Sequence, residues 1–409
     1  MKYCIALLAL FFWINVGYSQ SNSEYLFSSE IEALYKKDTT AKNYQHYAIN
    51  FTNIGDYKNT LRLEEEFILN YKGLNHKQGV LHPNFKNYKP VSAIKEIIKE
   101  AGKHQIVIIN EAHYSAQNRV FSQLVLEKLK AKGFKTLFVE TIKPPNNKKF
   151  DALLNTRKYP LLTTGYYLRD PQYGNMIRKA LQLNYKVLPY ESIPNDSIKD
   201  PMKRWSAREK GQAKNILNYL EKHPKSKIVI HCGYGHLAEK MHEGNLGMMG
   251  AVLKQQSGLN PFTIKQTTWL ETFSEKTKNP YRKLIDKNPP TDISVFKNTV
   301  GDYFSPDKEN YDIQVYFPKT KYINGRPDWL LMIKNRKIVN IPYSKIQLDF
   351  PYLVFAYHAN EGFENTVAAD IVEIKNKDDK KSLVLENGNY QLIIKNQQGK
   401  VQILSINVE

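Results

Sequence analysis

The sequence predicts an α/β fold: a mostly parallel sheet with helices on both faces, an N-terminal helical extension and a C-terminal antiparallel β module. Three observations predict it. Apolar, β-branched runs alternate with helical patterns between about residues 91 and 268, which is the pattern of strands buried on both faces and joined by crossover helices. Those runs end on ionisable residues. Beyond residue 311 the period changes to short alternating strands separated by Asn-Gly and Gln-Gly turns, which suit hairpins.

The chain of 409 residues exceeds the usual size of one core. Residues 1–19 read as a signal peptide, with Lys2 before the apolar stretch Ile5 to Val16 and Gly17-Tyr18-Ser19 ahead of Gln20. That segment is too short for a comfortable membrane span. The expected protein is therefore exported, periplasmic or extracellular, with no stable membrane insertion after cleavage. Past this segment Cys232 is the one cysteine left, so no intrachain disulfide is expected and the core must hold the fold. The net charge of +19 comes from lysines scattered along the chain, which argues for a solvated surface and against nucleic acid.

Residues 20–90 read as helical. Tyr44, Tyr47, Ala48 and Phe51 share a face, and Gly55-Asp56-Tyr57 turns the chain into Leu61, Leu63 and Phe67, as in one tetratricopeptide-type hairpin. Residues 91–278 form the α/β domain. Val91 to Ala101 is a helix feeding the strand from Ile106, and Val120 to Leu129 recur at helical spacing until Gly133 stops them. A second strand, Leu137 to Val139, ends on Glu140; a third, Tyr185 to Tyr190, ends on Glu191. The helix from about Trp205 leads to Lys227 to Ile230, which opens into His231-Cys232-Gly233-Tyr234-Gly235-His236. Residues 279–310 read as a linker. Residues 311–409 read as a β-sandwich-like module with strands at Ile313 to Phe317, Leu330 to Ile333, Tyr352 to Tyr357, Ala368 to Ile374, Ser382 to Leu385, Tyr390 to Ile394 and Val401 to Val408.

The chemistry gathers at the strand ends, where open parallel sheets bind ligands. Glu111 and His113 stand two apart at the end of the first strand and can converge on one point; a carboxylate beside an imidazole orients the ring and raises its basicity. The same pair can ligate a divalent metal. Glu-x-His alone is a weak signal, but Glu140, Glu191 and His236 end other strands independently. Two glycines in Gly233-Tyr234-Gly235-His236 would let backbone approach a ligand. Tyr114, Arg119, Glu191 and Tyr234 are candidate substrate contacts, and Arg119 or Arg208 could clamp an anion. His231 reads as buried behind the site, and Cys232 as a small hydrophobe.

The NEAHY segment, its helix and the FVE strand, followed by Ala207-Arg208-Glu209-Lys210 and IVIHCGYGHLAE, resemble the erythromycin-esterase-like and ChaN-like superfamily. A related Glu-x-His and Gly-x-x-His pairing recurs in TraB-type and TIKI-type proposed metalloproteases. The resemblance covers about Val91 to Thr268 and departs at Asn110, where that superfamily usually has glycine. It implies one cleft formed by Glu111, His113, Glu140, Arg208 and His236. The superfamily holds esterases, proposed metalloproteases and haem-binding lipoproteins, so fold alone does not fix the reaction. The expectation is a hydrolase in which His113, oriented by Glu111 or Glu140, activates water for cleavage of an ester or amide bond in a small-molecule, peptide or glycan substrate. His236 would act as acid, second base or ligand. A metal-assisted variant uses Glu111, His113, Glu140 and His236 as ligands to a divalent ion; the alternative is a non-enzymatic binder of haem or another ligand.

Overall fold

The computed structural model describes residues 25–38, 43–72, 81–193, 197–243 and 246–409. The signal-type segment lies outside them. In chain order the elements are α1 (Ser28–Lys37), α2 (Tyr44–Asn53), α3 (Tyr57–Phe67), β1 (Lys89–Ser92), α4 (Ala93–Ala101), β2 (Ile106–Glu111), α5 (Ala116–Leu129), β3 (Phe134–Val139), α6 (Leu154–Arg157), α7 (Pro171–Gln182) and β4 (Lys186–Pro189). There follow α8 (Pro201–Lys222), β5 (Lys227–Gly233), α9 (Met249–Ser257), β6 (Phe262–Lys265), α10 (Pro280–Ile285), β7 (Ser294–Lys297) and β8 (Ile313–Gln314). The C-terminal elements are β9 (Tyr322–Ile323), β10 (Arg326–Pro327), β11 (Lys337–Asn340), β12 (Tyr352–His358), β13 (Asp370–Ile374), β14 (Ser382–Leu385), β15 (Gly388–Asn396) and β16 (Val401–Val408).

The central sheet has the order β4-β3-β5-β2-β6-β8, and every pair in it is parallel. Strand periodicity divides its side chains between two cores. Val107 and Ile109 join Phe121, Val125, Met176 and Ile177 under α5 and α7, whereas Ile106 and Ile108 join Ala213, Ile216, Val252 and Leu253 under α8 and α9. Two helices start on Asp-Pro pairs: Asp170 and Asp200 accept bonds from the first-turn N–H groups of α7 and α8, and a proline fills the position that needs no donor. β2 lies between β5 and β6, and β3 flanks β5 on the other side. The sheet's centre therefore delivers the ends of β2, β3 and β5 to one rim.

The helical hairpin appears as expected, with Gly55 turning it in the left-handed region at φ +71°. It does not stand apart from the rest. Phe27, Ile31, Ala48, Phe51 and Leu63 share a core with Leu353 and Phe355 of β12, Ile371 of β13, and Ala112 and Tyr114 from the loop after β2. The C-terminal elements differ from a sandwich of equal halves: a four-stranded antiparallel sheet, β13-β12-β15-β16, is accompanied by the two-stranded β11-β14. Leu330 to Met332 lie in a 3-10 turn, because Leu330 packs with Trp329 and Val120 under α5 instead of pairing in a sheet. The stretch 279–310 is not a linker. It holds α10 and β7, and β7 pairs antiparallel with β1. Ile313, Val315 and Phe317 enter the core of the parallel sheet and not the β module.

Arg326 ties these additions together. Its guanidinium is 1% exposed, donates to Asp370 Oδ1 at 2.6 Å and to the Gly55 carbonyl at 3.3 Å, and Asp370 Oδ2 accepts the Val384 N–H at 2.8 Å. Removing one partner of a buried pair strands the other charge. Arg326→Met should lower unfolding stability by about 3–5 kcal/mol in urea titration, and the added change Asp370→Leu should recover part of that loss. An unchanged midpoint for the single variant would show that the pair does not hold these elements.

Candidate active site

The loop after β2 begins with a carboxylate that never reaches solvent. Glu111 is 1% exposed, and Arg119, one helical turn into α5 and fully buried, donates to both its oxygens at 2.8 Å. Arg119 also donates to Asp170 Oδ2 at 2.6 Å and to the His113 carbonyl at 2.7 Å, beneath the Tyr173 ring at 4.7 Å. Burial alone would raise the Glu111 pKa, but the Arg119 charge and bonds outweigh it and bring it down to about 2. Glu111 Oε1 lies 3.2 Å from His113 Nδ1. An ionised carboxylate only accepts, so the Nδ1 that faces it carries a proton. The imidazole is held between rings, stacked on Tyr167 at 4.6 Å and edge-on to Tyr234 at 4.8 Å.

At the ends of β3 and β5 a second assembly forms. Glu140 Oε2 accepts the Gly233 N–H at 2.6 Å, and its Oε1 accepts from Arg208 at 3.1 Å and faces His236 Nε2 at 3.4 Å. His236 Nδ1 lies 2.8 Å from Glu209 Oε2, an oxygen that also accepts the Met249 N–H at 2.8 Å. Both imidazole nitrogens thus face carboxylates, and Nε2 also lies 3.4 Å from Arg208 Nη1. Burial would lower its pKa, but the bonds to Glu140 and Glu209 overcome that and raise it to about 10. Burial likewise works against ionisation of Glu140, yet the bond to His236 and the surrounding positive charge hold it well below the usual carboxylate range. On α8, Arg208 and Gln212 are one turn apart and both reach Glu191, whereas Glu209 lies a third of a turn round and points to His236.

The two assemblies meet over Gly233. A side-chain carbon there would lie 2.1 Å from His113 Cε1 and 3.2 Å from Glu140 Oε2, so this glycine makes room for the imidazole and not for a ligand's approach. Asn110 serves a related purpose. Its amide donates to the Tyr234 carbonyl at 2.5 Å and to Thr267 at 3.1 Å and accepts the Gln266 N–H at 2.7 Å, joining the ends of β2, β5 and β6. Glu140, Glu191 and Arg208 then line an open cleft of about 400 Å³ with Tyr166 and Tyr167.

Several expected roles change. Arg119 is not an anion clamp, because its donors are consumed inside the protein. Tyr114 is not a substrate contact: it is 4% exposed, packed in the core of the helical hairpin, and its carbonyl accepts from Thr52 at 2.8 Å. Tyr234 is near the site but braced, with φ at +33° and its phenol accepting from Gln45 at 2.5 Å. Of the two carboxylates considered for orienting His113, Glu111 is the one bonded to it. His231 is 1% exposed, 3.6 Å from Glu111, and burial lowers its pKa. Glu111, His113, Glu140 and His236 do not form one metal sphere, and among the described residues no group of three or more such side chains is spaced to hold an ion. The donor set explains why: Glu111 is taken up by Arg119 through both oxygens, and His236 through both nitrogens. The same engagement removes His236 as an axial haem ligand.

Asp170, Glu209 and Tyr167 were not marked by sequence reasoning. Asp170 carried a helix-start signal, which concealed its bond to Arg119. Glu209 stood beside Arg208 with nothing to say that it, one residue on, would be fully buried.

No family model matches the chain, and no curated protein matches it. Among solved structures it is similar to the type III effector HopBA1, at 15% identity and a TM-score of 0.33 over 48% of this chain and 96% of that one. It is similar to RRSP, a MARTX toxin effector domain from Vibrio vulnificus CMCP6, at 13% identity and a TM-score of 0.32 over 58% and 45%. A further neighbour is the C-terminal region of Pasteurella multocida toxin, described as having a thiol-protease-like catalytic triad, at 14% identity and a TM-score of 0.31 over 55% and 30%. The chain spans less than half the length of the last two. No described helix is long and apolar enough to cross a membrane.

The His236 pairings predict a pH window. Its folded pKa of about 10 lies above the ordinary 6.5, so its contribution to stability is complete below pH 6.5 and is lost as pH rises through about 10. Chemical unfolding of the wild type should show stability falling across that interval, and His236→Gln should flatten the fall. Parallel pH profiles for both proteins would mean that His236 is not charged in the folded state.

Proposed function

We propose that the protein is an exported hydrolase of ester or amide bonds, related to the erythromycin-esterase-like and ChaN-like proteins. The observation that carries this reading is an imidazole oriented through Nδ1 by a buried carboxylate, next to a second imidazole that faces Glu140, beside a cleft that Glu140 and Arg208 line. Glu111, kept ionised by Arg119, holds the Nδ1 proton of His113; Nε2 takes a proton from water as its oxygen attacks the substrate carbonyl. The charge gathering on the carbonyl oxygen meets the guanidinium of Arg208 and the His236 imidazolium, both turned towards Glu140 at rest. His236 then gives a proton to the departing alkoxide or amine, with Glu209 holding its other nitrogen. The chain's own side chains supply the base, the acid and the charge for this step.

The scheme is tested with p-nitrophenyl acetate and an N-acetyl amino-acid methyl ester as substrates. His113→Gln should lower kcat by about 10²–10⁴ with an unchanged circular dichroism spectrum, and Glu209→Gln, by taking a carboxylate from the His236 imidazolium, should move the alkaline limb of the pH–rate profile to lower pH. Turnover that survives in His113→Gln removes this residue from the mechanism.

A further inference from the structure

The cleft carries an exposed aromatic ring that the catalytic scheme leaves unused. Tyr166 is 81% exposed, yet its backbone is fixed: its N–H donates to the Thr141 carbonyl at 3.1 Å, and the adjoining Gly165 bridges antiparallel to Ile142. The ring stands edge-on to Tyr167 at 5.5 Å and 87°, and Tyr167 in turn stacks on His113. Tyr166 is therefore two ring contacts from the base of the reaction. Ile193 lines the same cleft and is 53% exposed. Single apolar side chains in water are ordinary, but two on one concave surface beside the chemistry mark a contact area. An aromatic ring on an anchored backbone offers such area with little entropy to lose on binding.

We infer that Tyr166, together with Ile193, is the specificity determinant of the site and selects substrates with an aromatic side group next to the bond that is cut. The inference rests on the hydrolase reading for its chemistry. Glu140, Glu191 and Arg208 give the cleft polar groups for the carbonyl, and Tyr166 and Ile193 give it apolar ones. A volume of about 400 Å³ has room for a benzyl group and the carbonyl it flanks. Flatness matters because a ring can stack offset on the exposed tyrosine face, whereas a branched aliphatic group has no face to present.

Binding is measured on the His113→Gln protein, so that turnover is not required. The probes are N-acetyl-phenylalaninamide, N-acetyl-leucinamide and N-acetyl-glycinamide, followed by saturation-transfer NMR titration. The phenylalanine probe should bind about tenfold or more tightly than the glycine probe and more tightly than the leucine probe. Tyr166→Ala should bring it down to the glycine level, and Tyr166→Phe should keep it. Equal binding of all three probes, or a Tyr166→Ala protein that still prefers phenylalanine, overturns the inference; leucine binding as well as phenylalanine overturns the aromatic class. Hydrolysis that persists in His113→Gln defeats the hydrolase scheme instead, and the binding comparison reads separately from it.

Discussion

A buried guanidinium sets the terms for the site. Arg119 has no access to water, and each of its three nitrogens donates within the protein, to Glu111, Asp170 and the His113 carbonyl. These partners belong to the end of β2, the loop after it and the first turn of α7. One side chain thus fixes where the strand stops, where the helix starts and which way the loop runs between them. The bidentate geometry is specific to arginine; a lysine ammonium would meet one oxygen at a time. The orientation of His113 depends on this, since a Glu111 without Arg119 would be a carboxylate buried at high cost.

The two imidazoles stand in contrasting surroundings on neighbouring strand ends. One shares a nitrogen with a carboxylate whose charge is already matched by arginine. The other lies between two carboxylates and takes up a proton to satisfy both. Like residues close together thus meet unlike partners. Glu140 links the halves, and the Gly233 N–H that it accepts keeps it in place.

Much of the frame was legible in the sequence, because parallel strands buried on both faces leave apolar runs and helices leave a period of 3.6. The convergence of Glu111, His113, Glu140 and His236 on one rim followed from where those runs end, whereas Arg208, on α8, was implied by the resemblance alone. What sequence could not give was which donor meets which acceptor. Arg119 and Arg208 look alike on the page, yet one is sealed beneath α5 and α7 and the other opens to the cleft. Asn110 gave no signal of its own in the sequence, yet its amide binds three strand ends together. The contribution of residues 279–317 to the parallel-sheet side of the fold was hidden for another reason: short strands such as β7 and β8 have too few residues to set a period.

The core shared by α1, α2, β12, β13 and the loop after β2 also bears on the order in which the chain can finish folding. The Ser28 N–H donates to Glu373 across 345 positions, and Ala112 and Tyr114 pack against Leu353 and Ile371. Contacts so distant in sequence form late, once the loop entropy between them has been overcome. During synthesis the parallel sheet can pair while the loop that carries His113 still lacks its outer wall. The loop that carries His113 therefore gains its outer wall only when the last hundred or so residues have emerged, and its geometry is set by the end of synthesis and not by its beginning.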